Sequence, residues 1–462
     1  MKYLTRTLGC LLLLGGTAQA QSGDTLVSPL KPSDRPINLY LFDYPLNLKN
    51  GYYWPSLNQS IYNTAAIHET VNRAFRDVFE PLAPRWGKVY ATGATLLFNV
   101  LDAYLPTGAA WQHQEAHRAV LRFEGINSYN QANEFRFFQK RIATKHVTDD
   151  DLIRFKRDAP AEFIRNRGIG HEAQLEMMQQ MKKDAFYYGT SSYNDVIPYA
   201  LNTFIVINYV NEFRKPDYDK AIDERNMSEP NPGQRDISGV EFTPWVYDMF
   251  RPFEPYYDSS KSYGTGVGTR GPHPYGQGVD RYVGVEDLTA EELAWLKKES
   301  RLVWLNILSP ATFGFKRFRG VNPFNSRPMF WNFSVVHNLV AFGHVIDFNF
   351  FYQQDKLNLF FQWHNYKNYN SYFPGATLEI HRYPVKNMFL TGGIGMWSQP
   401  KLQLFQANSG TPGGYVKLGF ASKLTNKLEW FVEGDIKSNG WLSGNVALKA
   451  NQQVQVGINW LH

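Results

Sequence analysis

Cysteine is almost missing from this 462-residue chain: Cys10 is the only one. With no second thiol there can be no disulfide framework and no cysteine-based metal site. Long apolar runs are scarce as well, and the mean hydropathy is −0.40. The most apolar stretch of the middle region, residues 194–213, is interrupted by Pro198, Asn202 and Asn208, so it reads as a buried core helix rather than a membrane span. No basic block stands out. The formal charge of +6 loses two units with Lys2 and Arg6, which excludes nucleic acid as an expected partner. A G-x-S-x-G nucleophile elbow is absent, so serine-hydrolase chemistry has no support. The glycine-rich stretch YGTGVGTRGPHPYGQG (263–278) has no G-K-S/T and reads as an extended surface loop, not a phosphate cradle.

Aromatic residues, in contrast, are plentiful: they make up 16% of the chain, with 33 Phe and 27 Tyr. Residues 1–20 have the form of a secretory signal peptide. Lys2 and Arg6 are basic, residues 8–16 are apolar, and Ala18-Gln19-Ala20 is a small-x-small cleavage site. Cys10 precedes the leucine run of residues 11–14, whereas a lipidated cysteine would follow it. The expected mature chain is therefore exported, free of cysteine and held by packing alone.

Hydrophobic periodicity divides the rest into an α+β plan. Residues 21–214 read as a mostly helical domain, with helices over 87–105, around 111–123, from Thr148-Asp-Asp-Asp151 onward, over 170–188 and over 194–213. Residues 215–327 read as a Gly/Pro/Tyr-rich connection with one helix (289–308), which opens in a Thr289/Glu292 capping box. From 328 to 462 the period becomes two. In QQVQVGINWLH, Val454, Val456, Ile458 and Trp460 share one face, and Gln453, Gln455 and Asn459 the other. About eight to ten such segments, separated by short turns, predict an antiparallel up-and-down meander closed into a β-barrel.

Histidines beside glutamates gather in the helical half: His68-Glu69, HQEAH (113–117) and His171-Glu172. On a helix, His113 and His117 lie one turn apart on the same face and can offer two imidazoles to one ion. The same spacing can equally arise from structural histidines bonded to carboxylates. Trp245 and Tyr256-Tyr257 read as core or loop anchors. Arg118 reads as a surface ion-pair residue, with Glu124 as one partner.

The stretch HQEAHRAVL, followed 54 residues later by GHEAQLE, resembles the active-site pair of gluzincin metallopeptidases, whose helix is written H-E-x-x-H. The resemblance implies zinc held by His113 and His117, with Glu172 as third ligand and His171 as the alternative. It departs at Gln114, which stands where that family has its glutamate base. The proton acceptor is then sought among Glu172, Glu69 and Glu176. The last third resembles bacterial outer-membrane β-barrels, although Leu461 and His462 follow the last aromatic residue, Trp460. Together these resemblances imply a zinc-dependent hydrolase or peptidase of a Gram-negative cell envelope, acting on peptide or lipid ester bonds. Its barrel would contact outer-membrane lipid, with the periplasm as the alternative location. The rival expectations are a non-enzymatic outer-membrane protein with a helical interaction domain and structural histidines, and a soluble periplasmic binding protein.

Overall fold

Alternating residues in the last third build strands that are polar on one face and apolar on the other. A computed structural model describes residues 35–46, 55–82, 86–102, 108–132, 142–189, 196–228, 240–260 and 282–461. The signal peptide and the glycine-rich stretch 263–278 lie outside them. Eight strands follow one another as antiparallel neighbours: β5 (Pro328–Val340), β6 (Gly343–Gln354), β7 (Leu357–Lys367), β8 (Tyr372–Val385), β9 (Met388–Pro400), β10 (Gly410–Lys423), β11 (Leu428–Lys437) and β12 (Asn451–Leu461). The short β4 (Phe318–Val321) pairs with β5. The tenth strand, β1 (Pro36–Pro45), comes from the other end of the chain and pairs antiparallel with β12, Pro36 opposite Leu461.

The ten strands form an up-and-down sheet with β1 and β4 as its edges, and it is not closed as the sequence reading expected. The β1 edge and the part of β5 beyond β4 are covered by side chains or by neighbouring backbone, which keeps their polar groups from pairing with another chain. At the bulge between Tyr40 and Phe42, the Tyr40 amide donates to Asn63 Oδ1 (2.8 Å) and the Tyr40 carbonyl accepts from Asn63 Nδ2 (3.1 Å). Gln59 Nε2 donates to the Leu41 carbonyl at 3.1 Å. Beyond the end of β4, the edge of β5 is taken up by the 3-10 segment after residue 302. Val335 N donates to the Leu308 carbonyl, and Asn306 exchanges two hydrogen bonds with the His337 backbone.

The rest of the chain is mainly helical: α1 (Leu57–Leu82), α2 (Gly87–Asp102), α3 (Ala109–Phe123), α4 (Asp149–Asp158), α5 (Pro160–Tyr188), α6 (Val196–Val210), α7 (Tyr218–Ser228), α8 (Phe242–Phe250) and α9 (Ala290–Leu302). The small ribbon β2 (Tyr129–Ala132) and β3 (Ile142–Lys145) flanks α3. Capping boxes start α4 (Thr148 with Asp151) and α9 (Thr289 with Glu292), as their sequences predict. Among the described residues of 215–327 there are three α-helices where the sequence reading had one. α5 begins ten residues before the expected 170, because Pro160 sits in its first turn, where a missing N–H costs nothing.

The polar face of the sheet is turned toward these helices. Along α5, Lys182 Nζ donates to Ser334 Oγ (2.9 Å), Lys183 Nζ to Glu379 Oε2 (2.6 Å) and Tyr187 OH to the Leu359 carbonyl (2.7 Å). Between β11 and β12, Trp441 and Ser443 bond Glu172 and Glu176 of the same helix. The opposite face of the sheet exposes Phe348, Trp363, Ile394, Met396, Val416, Leu418, Ile436 and Trp460. Polar-inside, apolar-outside is thus the observed arrangement. Where α8 meets the sheet, Trp245 and Tyr247 are fully buried with Phe342, Tyr366 and Trp441.

Candidate metal centre

α3 places His113 and His117 on one buried face, with ring centroids 5.2 Å apart. Both Nε2 atoms point at the same oxygen, Glu241 Oε1, at 2.5 Å from His113 and 3.0 Å from His117. Tyr209 OH, from α6, donates to that oxygen at 3.0 Å. Glu241 immediately precedes α8, and its carbonyl accepts the first helical bond from Trp245 N. Burial alone would raise this carboxyl. The charges of His113 and His117, and their hydrogen bonds, outweigh it and hold the pKa at about 2.

Gly170 explains how α5 comes so close to α3. A Cβ at this position would lie 2.3 Å from His113 Nε2, so only glycine leaves room for the imidazole. Next to it, His171 is 1% exposed, and neither of its ring nitrogens has a hydrogen-bond partner. Its ring packs edge-on against Phe242, and burial pushes its pKa down to about 3.

The other expected residues fall elsewhere. Glu172, expected as the third ligand or base, lies one 100° step around α5 from His171 and faces away. Its oxygens are held by Arg165 (Nη2–Oε1 2.5 Å, Nε–Oε2 3.1 Å) and by Trp441 Nε1 (2.8 Å). Glu69 is paired with Arg35 (2.9 Å) and Arg73. Glu176 accepts from Ser443 Oγ at 2.8 Å and lines a polar cavity of about 150 Å³, together with Lys183, Glu379, Lys417 and Glu433. Gln114 accepts from Thr144 Oγ1 (2.9 Å), and Glu115 receives both Arg118 Nη1 contacts (2.6 and 2.8 Å), so neither faces the histidines. The third member of the cluster is therefore Glu241, which the sequence reading did not single out.

Three buried donors, two imidazoles and one carboxylate, have ligand atoms within 4.8 Å of one another. The set suits a divalent ion such as zinc. Glu241 Oε2 and His117 Nδ1 are buried with no partner, so the cluster keeps donor capacity beyond its own hydrogen bonds. A second buried trio, Glu299, His337 and His344, meets the same geometric criterion. Its signal was a pair of histidines across a hairpin, not along a helix. Register sets His344 opposite Leu339, so His337 and His344 are diagonal neighbours on one face of the sheet. No protein-family model, no curated protein and no solved structure matches this chain, so the likeness to gluzincins gains no support from relatives.

Proposed function

We propose that this protein is a metal-dependent hydrolase of the cell envelope, with its metal centre at His113, His117 and Glu241 and its sheet inserted in the outer membrane as a barrel. The observation that carries the metal reading is the convergence of three buried donors, two from α3 and one from the start of α8, on one point. Two histidines and one glutamate make a three-ligand set that leaves a coordination position for water or substrate, as catalytic zinc sites require. Held there, zinc would supply a Lewis acid and lower the pKa of its water to roughly 7. The chain's own part is to orient the donors. Tyr209 OH fixes Glu241, Gly170 admits the His113 ring, and Gln114 stays bonded to Thr144.

The membrane half of the proposal rests on the apolar outer face of the sheet. Lipid-facing strands of outer-membrane barrels alternate apolar-out and polar-in, with aromatic residues toward the interfaces. Here Phe348, Phe350, Phe361, Trp363, Ile394, Val416, Leu418 and Trp460 are exposed on the outer face, and Asp347, His364, Gln453 and Asn459 are buried on the inner one. Ten residues of regular strand, as in β11, suit one tilted crossing.

One observation favours a non-enzymatic reading with structural histidines: Glu241 Oε1 already accepts from three groups, and the polar cavity lies against other residues. Elemental analysis of the purified wild type beside His113→Ala/His117→Ala separates the two. About one equivalent of metal lost in the folded double variant, together with chelator-sensitive cleavage of peptide or ester substrates by the wild type, supports the hydrolase. The same metal content in both proteins makes these histidines structural.

A further inference from the structure

We propose that Glu299, His337 and His344 form a second divalent-cation site, beside the one proposed at His113, His117 and Glu241. Glu299 stands on α9, and its two oxygens reach the two histidines: His337 Nε2 to Oε2 at 2.8 Å and His344 Nδ1 to Oε1 at 2.9 Å. The rings lie 5.1 Å apart, and all three side chains are buried. The trio is held from both sides. Asn306, just beyond α9, pairs with the His337 backbone, and the Trp295 ring stacks beside His344 at 6.3 Å.

A carboxylate flanked by two histidines can pair without an ion, but His337 Nδ1 stays buried with no hydrogen-bond partner, and native interiors seldom keep such a group without a ligand. Four histidines and two glutamates, with no cysteine in reach, form a nitrogen–oxygen donor set suited to zinc, iron or manganese.

The test is cobalt(II) titration of the chelator-stripped, folded full-length protein in detergent, read by d–d absorption and elemental stoichiometry. Two equivalents are expected in the wild type, and one each in Glu299→Gln and in His113→Ala/His117→Ala. Glu299→Gln keeps the side chain's shape and hydrogen-bonding reach, so its fold can be verified by circular dichroism if His337→Ala/His344→Ala fails to fold. One equivalent or two that persist undiminished in Glu299→Gln overturn the second site and leave the first standing. An equivalent lost in Glu299→Gln but not in the His113/His117 variant supports the second site and overturns the first. No binding at all overturns both.

Discussion

Gly170 and Glu172 lie two residues apart on the same helix, and their substitutions should part company. Gly170→Ala forces a methyl into the His113 imidazole. It should cost about 1–3 kcal/mol of stability and reduce metal affinity, read by thermal midpoint and zinc titration. Glu172→Ala strands Arg165 in the interior. It should cost about 3–5 kcal/mol yet leave metal content per folded molecule unchanged, which a true ligand could not do. His113 and His117 were legible in the sequence because a helix turns four-residue spacing into proximity. Glu241 was not. It lies 124 residues beyond His117, in a segment whose proline and glycine content hides a nine-residue helix, and only tertiary packing brings it back. Glu172 misled for the complementary reason: a motif fixes spacing along a helix but not which of two adjacent side chains faces the partner.

Among the elements, α5 is exceptional in placing charged side chains inside the molecule. Burial pushes the Lys182 ammonium down to about 7 from its ordinary 10.5. Between those values the unfolded chain binds more protons than the folded one, so this residue's contribution makes stability rise with pH from about 7 to 10.5. Below pH 7 the full penalty for the buried charge is present. Lys182→Met should therefore raise the thermal midpoint most near pH 6, with the gain shrinking toward pH 10, as a pH series of melts would show. At the sheet edge, Asn63→Ala removes both partners of the Tyr40 backbone. It should cost about 1–3 kcal/mol and expose β1 to limited proteolysis. The strands of the last third were readable from period-two alternation, and β12 matches that reading residue for residue. β1 was missed because PINLYLFDYP stands apart from every other strand, in front of the helices, with nothing local to pair with. Closure was over-read: alternation sets which face is polar but not whether the first and last strands meet.

For the molecule as a whole, the proposed membrane position makes a direct prediction. On refolding into vesicles, Trp363, Trp430 and Trp460, exposed on the outer face, should be quenched by brominated lipid, whereas the buried Trp245 and Trp441 should not. Val416→Arg, on the same face, should cost about 2–4 kcal/mol of insertion if it sits near the bilayer centre, measured as a shift in the denaturant midpoint. Equal quenching of all five tryptophans, or no effect of the arginine, would argue for a sheet that lies outside lipid.

The pairing of β1 with β12 also constrains when the protein can become complete. Asp43 is hydrogen-bonded to Gln453, 410 residues further along the chain. An early strand must therefore wait, unpaired, for the last one to be made, while the helices between them can condense from local contacts. Assembly should thus run from the inside outward, with a preformed helical kernel serving as the mandrel around which the strands are laid down. A chain stopped before residue 451 would leave its first strand as a sticky, unsatisfied edge, an obvious mark for quality-control proteases.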